Sequence, residues 1–464
     1  MTGRGRDLEP AEPDADALPD LSESEEAAGL TEALDPATSD HVAVRRFTLR
    51  VTEGPDTGAL CASTGDRLSI GTHPRAQFCL SDRTMSRFHC EIELHGGRAL
   101  VRDLGSRNGT RVDGVMVQAA YLRRGAVLAL GRNLVSFELA DDRVSIPLHE
   151  SDHLGLLAGR SPAMRAAFAV LARAAGSDIT VLLRGETGTG KDPAAETLHR
   201  LGPRRDHPFV VVDCGGLTGT LLEGELFGHA RGAFTGADRA RVGAAEAAHR
   251  GTLFLDEIGE LDISLQPVLL RLLERREVQR IGESRPIAVD VRVIAATSRN
   301  LRREVNAGRF RSDLYYRLAV MEVVLPPLRD RLDDLPLLVD SLLERAGQGE
   351  RGPALRTPEF LARLARHDWP GNVRELRNYV ESCLALADRA PPPGGAGESS
   401  RTAMPAIDPS LPFRAARDRW LRWFERRYLE ELLDRAGDNV SAAARAAGVD
   451  RVYFHRLLRR VGLR

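Results

Sequence analysis

The stretch RGETGTGKDP, residues 184–193, decides the fold of the central part of this 464-residue chain. It follows the apolar run at 180–183 and fits the spacing G-x-x-x-x-G-K from Gly185 to Lys191. Glycines in such a loop let the backbone curl so that N–H groups face an anion, and the following helix points its N-terminus at the same anion. A strand, a glycine-rich loop and a helix in this order predict a phosphate-binding loop in an α/β domain.

Lys191 is the single lysine among the 65 Lys and Arg residues of the chain. A compact ammonium reaches the β- and γ-phosphates of a nucleotide, whereas the wider, planar guanidinium of arginine substitutes poorly there. One lysine retained at this place indicates ATP as the ligand. The alternative is a glycine-rich loop with a stray lysine, and the preceding strand argues against it. The predicted ATP-binding residues of the loop are Gly185, Glu186, Thr187, Gly188, Thr189, Gly190, Lys191 and Asp192.

Acidic residues near the loop predict a magnesium-dependent ATPase. Asp192 stands where many phosphate loops place Ser or Thr on Mg²⁺, and Pro193 follows it, which a helix tolerates only in its first turn. The apolar run GTLFLDE (251–257) ends in a second acidic pair. Asp256 is predicted to hold Mg²⁺ with Asp192, and Glu257 to polarise the attacking water. Lys191, Asp256 and Glu257 are the catalytic candidates of this subunit.

Composition indicates a soluble chain of several domains. Hydrophobic residues make up 42% and charged residues 28%, and the net charge is −1. The sequence has no apolar run long enough for a membrane span and no N-terminal signal pattern. The five cysteines show no paired spacing, which disfavours a metal site and agrees with a reducing compartment. We therefore expect a cytoplasmic protein without a membrane partner.

The pattern of the sequence changes along the chain. Residues 1–40 carry twelve acidic side chains and no aromatic ring, which is typical of a disordered tail. Short β-type runs separated by Gly, Asn and Asp follow, and then apolar strands alternate with helical stretches. The predicted segments are an acidic tail (1–41), an all-β sandwich (42–140), a linker (141–157), an α/β subdomain (158–330), a helical lid (331–389), a second linker (390–412) and a helical C-terminal domain (413–464).

A second motif lies between the loop and the acidic pair, in ELFGHARGAFTGADRAR (225–241). Glycines flank an aromatic and a hydroxyl residue, which predicts a mobile loop that exposes Phe234 to a partner; the alternative is that Phe234 folds back into the core. With this motif, residues 158–389 resemble the AAA+ activators of sigma-54 RNA polymerase. The resemblance implies a sigma-54 contact by Gly232, Ala233, Phe234, Thr235, Gly236 and Ala237.

The same resemblance implies a catalytic contribution from a neighbouring subunit. RFRSDLYYRL (309–318) is similar to the stretch that supplies arginine fingers in this family. Arg311 and Arg317 would then reach the nucleotide of the next subunit, where a finger can raise the rate about 10³–10⁵-fold. Either arginine could instead be an ordinary surface charge.

Two further stretches resemble the family's nucleotide sensors. ATSRN (296–300) places Thr297 and Ser298 near the γ-phosphate, and WPGNVRELRN (369–378) places Arg374 against the nucleotide.

Two positions depart from the family pattern, because asparagine usually stands where this chain has Ser298 and Asp213. The resemblance implies that Asp213 belongs to the ATP-binding residues, and in the family the residue at its position toggles the catalytic glutamate. A second carboxylate near Glu257 is expected to raise its pKa or to change this toggle, so the departure bears on coupling more than on nucleotide binding.

The N-terminal β-rich segment contains the stretches SIGTHPRAQFCLSDRTMSRFHCEI and DLGSRNGTRVDG, within 69–114. With these landmarks the segment resembles a forkhead-associated (FHA) domain, the reader of phosphothreonine. The resemblance implies that Ser86 and Arg87 bind phosphate and that Asn108 clasps the ligand backbone, and hydroxyl, guanidinium and amide donors suit a dianion. The alternative is a sandwich retained only for protein contacts.

One FHA position departs from that family. Thr72 stands where the family usually has an arginine that contacts phosphate. Weak affinity is therefore expected, unless Arg75 or Arg107 supplies the missing contact.

The C-terminal stretch DNVSAAARAAGVDRVYFHRLLRRVGLR (438–464) reads as helix, turn, helix and resembles a Fis-type DNA-binding domain. The last 26 residues carry six arginines against one aspartate, which is a local basic patch. The start of the second helix is where such domains contact bases, and it offers Arg451, Tyr453, His455 and Arg456. The alternative is a solvated, charged helical hairpin.

Together these patterns predict a multidomain protein: an all-β FHA sandwich, an α/β P-loop AAA+ domain with a helical lid, and an all-α helix-turn-helix. The resemblance implies a sigma-54-dependent activator that uses ATP and Mg²⁺, forms dimers and a hexameric ring, and binds enhancer DNA. The FHA domain would recognise a phosphothreonine protein, for which a Ser/Thr kinase is one candidate. The rival readings are a regulator that no longer remodels polymerase and a phosphopeptide-binding, DNA-associated scaffold whose ATPase is weak or idle.

Overall fold

The computed structural model describes residues 41–95, 98–216, 219–233, 239–347 and 353–386, and near the C-terminus residues 425, 428–429, 432–433, 440–447, 454 and 458. The predicted acidic tail up to residue 40 and the predicted linker at 390–412 lie outside the described residues. The chain divides into two units. The first contains the residues up to Glu186 and Gly190–Pro326, and the second contains Thr187–Thr189 with Pro327–Arg464.

The N-terminal part of the first unit is a sandwich of two β-sheets. One sheet has six strands in the order β2-β1-β11-β10-β7-β8, and the other has five in the order β4-β3-β5-β6-β9. The strands are β1 (His41–Glu53), β2 (Leu60–Ala62), β3 (Arg67–Gly71), β4 (Phe78–Cys79), β5 (Cys90–His95), β6 (Arg98–Asp103), β7 (Thr110–Val112), β8 (Val115–Val117), β9 (Ala119–Leu122), β10 (Val127–Leu130) and β11 (Asn133–Pro147).

Alternation of apolar and polar residues builds the core of this sandwich. In β1 the side chains of Phe47, Leu49 and Val51 are buried and those between them are not, as the two-residue period of a strand requires. Leu49 pairs with Phe137 of β11, and the facing sheet contributes Ile92. Burying a side chain of this size contributes roughly 1.5–3 kcal/mol.

Strand β11 runs beyond residue 140, where the sequence predicted the sandwich to end and a linker to begin. Its last residues pair with the first residues of β1, from Arg45↔Arg143 to His41↔Pro147. Val144 and Ile146 are the only apolar residues of this extension, too few to predict a strand from periodicity. The pairing itself satisfies the backbone hydrogen bonds of both segments, which the sequence pattern cannot reveal.

A parallel sheet forms the second part of the first unit. Its order is β15-β18-β21-β14-β22. The strands are β14 (Val181–Arg184), β15 (Phe209–Asp213), β18 (Thr252–Asp256), β21 (Arg292–Thr297) and β22 (Met321–Val324). The helices are α1 (Pro162–Ala175), α2 (Lys191–Arg200), α3 (Gly219–Phe227), α4 (Ala244–Ala247), α5 (Gln266–Arg275), α6 (Leu301–Asn306) and α7 (Ser312–Leu318). All residues of β21 are buried, as expected for a strand covered on both faces.

Three short antiparallel pairs accompany this sheet. They are β12 (His153–Leu154) with β13 (Leu157–Ala158), β16 (Gly228–His229) with β17 (Arg241–Val242), and β19 (Glu277–Val278) with β20 (Ile287–Ala288).

The topology gathers chemistry at one edge of the parallel sheet. Strand β14 ends at the phosphate loop, β15 ends at Asp213, β18 at Asp256 and β21 at Thr297. Because the carboxyl ends of parallel strands lie at the same edge, these residues become neighbours although they are far apart in sequence.

The second unit is helical. Its described helices are α8 (Leu335–Arg345), α9 (Pro358–Leu364), α10 (Asn372–Leu386) and α11 (Val440–Ala446). Trp369 is fully buried, donates from Nε1 to the carbonyl of Leu364 over 2.9 Å, and meets the ring of Tyr379 edge-on. Near the C-terminus a separate buried cluster joins Leu429, Leu433, Val440, Ala443, Ala444, Phe454 and Leu458.

Among the described helices, none is both long enough and apolar enough to cross a membrane.

Candidate functional site

The loop between β14 and α2 shapes the candidate anion site. Gly190 precedes the helix with a φ of 108°, and Gly188 has a φ of 82°, both in the left-handed region that favours glycine. Helix α2 begins at Lys191, so its free N–H groups lie at the loop. Pro193 is accommodated in the first turn of α2, where proline removes no helical hydrogen bond.

Lys191 lies at the centre of this arrangement and is 6% exposed. Its Nζ donates to the carbonyls of Gly185 (3.1 Å) and Glu186 (3.4 Å). It also lies 3.3 Å from Oε1 of Glu257. The ammonium is therefore held by the loop on one side and by an acidic side chain at the end of β18 on the other.

The carboxylate of Glu257 bridges two elements. While Oε1 faces Lys191, Oε2 accepts hydrogen bonds from the backbone N–H and the hydroxyl of Ser298, each over 2.9 Å. Glu257 has a φ of 47°, an uncommon conformation for a residue with a side chain, and such outliers gather at functional sites. Thr297, by contrast, is buried, and its hydroxyl accepts from the N–H of Arg299 over 3.0 Å.

Asp256 lies beside this glutamate at the same sheet edge. Burial raises the pKa of its carboxyl group, and the nearby charges of Asp192 and Glu257 raise it further. The loss of hydration and the crowding of like charges both disfavour the ionised form. A cation bound at this edge would favour the ionised carboxylate and so oppose both effects.

Asp213 takes hydrogen bonds from its own loop. Its Oδ1 accepts from the N–H groups of Gly215 (2.8 Å) and Gly216 (3.2 Å), whereas Glu257 is held by Lys191 and Ser298. Asp213 nevertheless belongs to the acidic edge, because it stands opposite Asp256 in the strand register. The buried thiol of Cys214, the residue after Asp213, lies in the field of these carboxylates. Burial and the charges of Asp213, Asp256 and Glu257 raise the pKa of Cys214 to about 12.

The two candidate arginine fingers lie at the ends of α7, not at this acidic edge. The guanidinium of Arg311 donates to Asp313 over 2.7 and 3.0 Å. Arg317 donates to Glu274 over 3.0 Å. Both guanidinium groups are largely exposed, so they are available to a second subunit and are not brought to the Lys191 site of their own chain.

Within the second unit, the lid contacts the middle of the phosphate loop. Asn372 donates to the carbonyl of Thr187 over 3.0 Å, and buried Arg331 donates to the carbonyl of Thr189 over 2.9 Å. Burial lowers the pKa of Arg331 to about 10. The Cβ of Arg374 lies 3.0 Å from the place that a Cβ on Gly188 would occupy.

Sequence reasoning missed Asn372 and Arg331. Asn372 lies inside the quoted stretch that includes Arg374, and its φ of 53° could have been suspected from the preceding Pro-Gly. No local signal distinguishes Arg331 from the other arginines of the chain.

The FHA segment carries a second concave site. A cavity of about 640 Å³ is lined by Thr72, Arg83, Thr84, Met85, Ser86, Arg87, Arg107, Asn108, Val305 and Asn306. The structure thus brings together the three predicted phosphothreonine residues and Arg107. Ser86 Oγ accepts from the N–H of Arg107 over 2.9 Å, and Asn108 donates to the carbonyl of Thr84 over 2.6 Å. Arg83 also lines this cavity and was not predicted.

Comparisons with known proteins agree with this architecture. Residues 157–324 match the family described as the Sigma-54 interaction domain, residues 329–391 match the AAA+ ATPase lid domain, and residues 68–131 match the FHA domain. The chain is 41% identical over 329 residues to the transcriptional regulatory protein GlrR of Escherichia coli (strain K12). This match covers 70% of the present chain and 72% of GlrR.

The chain belongs to the family of sigma-54-dependent transcriptional regulators.

Two further relatives illustrate the range of this family. The anaerobic nitric oxide reductase transcription regulator NorR of Aeromonas salmonicida (strain A449) is 39% identical over 449 residues, covering 86% of this chain and 87% of NorR. The Nif-specific regulatory protein of Herbaspirillum seropedicae is 50% identical over 229 residues, covering 49% of this chain and 42% of that protein. This regulator is therefore an AAA+ ATPase with an FHA domain, and the predicted fold classes of both domains are confirmed.

Part of the predicted sigma-54 loop of this regulator is described. Strands β16 and β17 form its base, and Gly232 and Ala233 follow with Gly232 at a φ of 78°. Ala230 donates to the carbonyl of Ile281 over 2.9 Å, which fixes the start of the loop. Phe234, Thr235, Gly236 and Ala237 lie outside the described residues.

The predicted DNA-binding residues Arg451, Tyr453, His455 and Arg456 also lie outside the described residues. The neighbouring helix α11 and the buried Phe454 and Leu458 are described, and they share one apolar cluster.

Proposed function

We propose that this regulator hydrolyses ATP at the Lys191 site and uses the energy to remodel the closed promoter complex of sigma-54 RNA polymerase. The observation that carries the proposal is the link from Lys191 through Glu257 to Ser298, with distances of 3.3 and 2.9 Å. It joins the phosphate loop, the acidic strand end and the neighbouring strand end in one polar chain. Such a chain can sense whether a triphosphate is bound and can position a general base.

In this proposal Lys191 exchanges partners during the cycle. Its ammonium leaves the carbonyls of Gly185 and Glu186 and binds the β- and γ-phosphates, which are stronger charged acceptors. Glu257 then loses one ion-pair partner and keeps the two hydrogen bonds from Ser298. The freed Oε1 can accept a proton from the attacking water, and Ser298 holds the carboxylate in place while this occurs.

The acidic edge fits a divalent cation. The pKa of Asp256 is raised by burial and by Asp192 and Glu257, a crowding that a cation would relieve. Among the described residues no group of three or more His, Cys, Asp or Glu side chains is placed to hold a metal ion. The charge of Asp192 acts on Asp256, so Mg²⁺ would rest on these two carboxylates, with phosphate oxygens and water as its remaining ligands. When bound, it neutralises charge on the transferred phosphoryl group.

We infer that the active form is a ring, a hexamer in this family, in which Arg311 and Arg317 act on the nucleotide of the neighbouring subunit. Their exposed positions at the two ends of α7 support this role. Their present partners, Asp313 and Glu274, are surface carboxylates, and such pairs stabilise little, about 0–1 kcal/mol. A neighbouring nucleotide can therefore displace them.

The loop of residues 232–237 would transmit the work to sigma-54. Replacing Phe234 by Ala should leave ATP turnover within about threefold of the natural protein and abolish promoter opening, because the change removes a contact and not a catalytic group. Promoter opening is measured by permanganate reactivity of unpaired thymines with sigma-54 holoenzyme. Full opening by Phe234→Ala would overturn the proposal.

We further propose that the FHA cavity binds a phosphothreonine protein and that the C-terminal domain binds enhancer DNA, with a Ser/Thr kinase as one candidate source of the ligand. Ser86, Arg87, Arg107 and Asn108 around one cavity support the first part. A degenerate phosphothreonine peptide pool should bind the full chain, and the same pool without phosphate should not.

A scaffold with an idle ATPase is the rival function, and Asp213 beside Asp256 is the observation that favours it. ATP turnover by the full chain, with Lys191→Ala as the blank, separates the two. Turnover no higher than that of the blank would establish the scaffold.

A further inference from the structure

The loops that surround the FHA cavity also contact the ATPase domain, within the first unit. Asn306, the last residue of α6, carries the densest contact. Its Nδ2 donates to the carbonyls of Phe88 and Leu104, the latter over 2.9 Å, and its Oδ1 accepts from the N–H of Phe88 over 3.4 Å. One amide side chain thus satisfies three backbone groups of the FHA domain.

Aromatic rings reinforce this contact. Phe88 is buried in the same cluster as the core of the ATPase domain and meets Tyr315 edge-on, with ring centroids 5.5 Å apart. His73 stacks on Tyr316 at 4.2 Å. Arg75 lies over the same ring at 5.1 Å and donates to the carbonyl of Tyr316 over 3.3 Å. Arg75, expected as a substitute phosphate contact, is therefore directed at the ATPase domain.

A buried ion network crosses the same boundary. Glu91 of β5 lies 3.2 Å from Arg302 of α6, and both side chains are largely buried. Arg302 also pairs with Glu322 over 3.3 Å, and Glu322 pairs with Arg184. Separating the domains would leave Glu91 without this cation. The Glu91–Arg302 pair forms only when the domains are docked, so it links them in one defined geometry.

The docked ATPase domain reaches into the ligand cavity itself. Val305 and Asn306 form part of its wall. The guanidinium of Arg87, a predicted phosphate ligand, donates to Oγ of Ser312 over 3.2 Å, at the start of α7. A neutral hydroxyl of the same chain thus occupies a donor that a phosphate dianion would otherwise take.

We propose that phosphothreonine binding and docking of the FHA domain on α6 and α7 exclude one another. Arg87 donates to Ser312 when the domains are docked and to phosphate when a ligand is bound. The cavity wall made by Asn306 offers a ligand little, because both ends of its amide already bind the FHA backbone. The wall therefore reduces the space for a ligand without offering it a hydrogen bond. This favours competition between ligand and docked ATPase domain over a binding site formed by both domains.

This inference rests on the proposed function and adds the mode of control. Docking covers Ser312, Tyr315 and Tyr316, which lie on α7 between Arg311 and Arg317. In the docked form the FHA domain occupies the face between the two candidate fingers, where a neighbouring subunit would pack. Ligand binding uncovers this face, so phosphothreonine activates the ring by releasing it.

The test weakens docking by substituting residues of the ATPase domain. The predicted phosphate ligands Ser86, Arg87 and Asn108 are left unchanged. Asn306→Ala removes the three hydrogen bonds to the FHA backbone, and Ser312→Ala removes only the acceptor of Arg87. Arg303→Ala is the matched control, because Arg303 is an exposed residue of α6. Binding of the degenerate phosphothreonine peptide pool to each full-length variant is measured by fluorescence anisotropy, after thermal unfolding confirms a folded chain.

If the docked form holds about 90–99% of the molecules, undocking raises the apparent affinity about 10–100-fold. We expect Asn306→Ala to bind the pool at least about tenfold more tightly, Ser312→Ala about threefold more tightly, and Arg303→Ala like the natural chain. Equal affinity in all four proteins would overturn the exclusion. Weaker binding by Asn306→Ala would also overturn it, and would establish a shared site instead.

A second readout covers a failure of Asn306→Ala to fold and separates this inference from the function it rests on. Hydrogen exchange of residues 301–316 in the natural chain should rise when the phosphothreonine pool is added and stay unchanged with the unphosphorylated pool. Binding without a rise in exchange overturns the exclusion and leaves phosphothreonine recognition intact. Failure of every variant, Ser312→Ala included, to bind the pool refutes phosphothreonine recognition and the exclusion with it.

Discussion

The nucleotide site and the FHA cavity are both proposed to bind phosphate, but their key cations are held in different ways. Lys191 is 6% exposed and takes all its described partners from its own domain, from the phosphate loop and from Glu257 directly after strand β18. Arg87 is exposed on the FHA surface and takes its partner, Ser312, from another domain 225 positions along the chain. The first cation is preorganised by local structure, whereas the second depends on how two domains meet.

This difference determines which of the two sites can respond to the arrangement of the domains. Because the described partners of Lys191 all belong to its own domain, its surroundings do not depend on where the FHA domain lies. A cation shared with another domain links ligand binding to domain arrangement, as any interaction made in only one of two states must.

The largest effect is expected from Glu257→Gln, which keeps the shape of the general base and removes its charge. We expect kcat for ATP to fall about 10²–10⁴-fold, because a positioned base contributes on this scale. ATP affinity should stay within about threefold, since Lys191 still binds the phosphates. Steady-state turnover and equilibrium binding of ATP test this, with Glu260→Gln as the control because Glu260 pairs with Arg299 outside the Lys191 link. An unchanged kcat would remove Glu257 from the mechanism.

In the FHA cavity, Arg87→Ala should weaken binding of the phosphothreonine pool about 10–100-fold. A charged hydrogen bond to phosphate contributes about 1.5–3 kcal/mol, and its loss exceeds the roughly threefold gain in affinity expected from losing the Arg87–Ser312 bond. Arg83→Ala is the matched control, because Arg83 lines the same cavity and was not assigned to phosphate. Anisotropy titrations measure both proteins. Equal losses in the two variants would mean that the cavity attracts phosphate only by its general positive charge.

Acid should destabilise the fold through Glu322, which pairs with Arg184 and Arg302 inside the ATPase domain. Burial alone would raise the pKa of this carboxyl, but Arg184 and Arg302 outweigh it and lower the pKa to about 2. The carboxylate of Glu322 stabilises the folded state fully at pH values above its unfolded pKa of about 4.5. This stabilisation decreases as the pH falls below 4.5 and is lost completely as the pH falls through the folded pKa of about 2.

Between pH 6 and pH 3 the natural chain should therefore lose about 2 kcal/mol of unfolding free energy that Glu322→Gln does not lose. Urea unfolding of both proteins at the two pH values gives the difference. Parallel losses in the two proteins would show that the ion network around Arg302 does not stabilise the fold.

The smallest effect is expected at Ser298, which holds one oxygen of Glu257. Ser298→Ala removes the hydroxyl donor and leaves the backbone N–H, so kcat should fall about tenfold, the value of one hydrogen bond to a charged group. Ser298→Asn restores a donor and should recover the rate to within about threefold. A rate in Ser298→Asn as low as in Ser298→Ala would show that Ser298 has a role other than donating to Glu257.

The sequence predicted best what is local. The loop from Gly185 to Lys191 and the acidic strand end at Asp256 carry their signals within a few residues, because backbone geometry and strand burial dictate them. The parallel sheet and the β-sandwich followed from the periodicity of apolar residues for the same reason.

Partners that are distant in sequence could not be predicted. No sequence pattern predicts the contact of Asn306 with Phe88 or of Arg87 with Ser312, because these pairs form only when two folded domains meet. Ser298 was expected near the γ-phosphate, yet its hydroxyl donates to Glu257, a partner that strand order alone brings close. Arg75 was considered as a substitute phosphate contact, but its guanidinium lies over the ring of Tyr316 in the ATPase domain.

The central claim is that ATP consumed at Lys191 opens a sigma-54 promoter, and permanganate footprinting tests it most directly. Full-length protein, sigma-54 holoenzyme and promoter DNA are incubated with ATP or with a non-hydrolysable analogue, and Lys191→Ala is run in parallel. The account predicts reactive, unpaired thymines with ATP and the natural protein, and none with the analogue or with the variant. Unpaired thymines that appear without hydrolysis, or a promoter that stays closed while ATP is consumed, would contradict it.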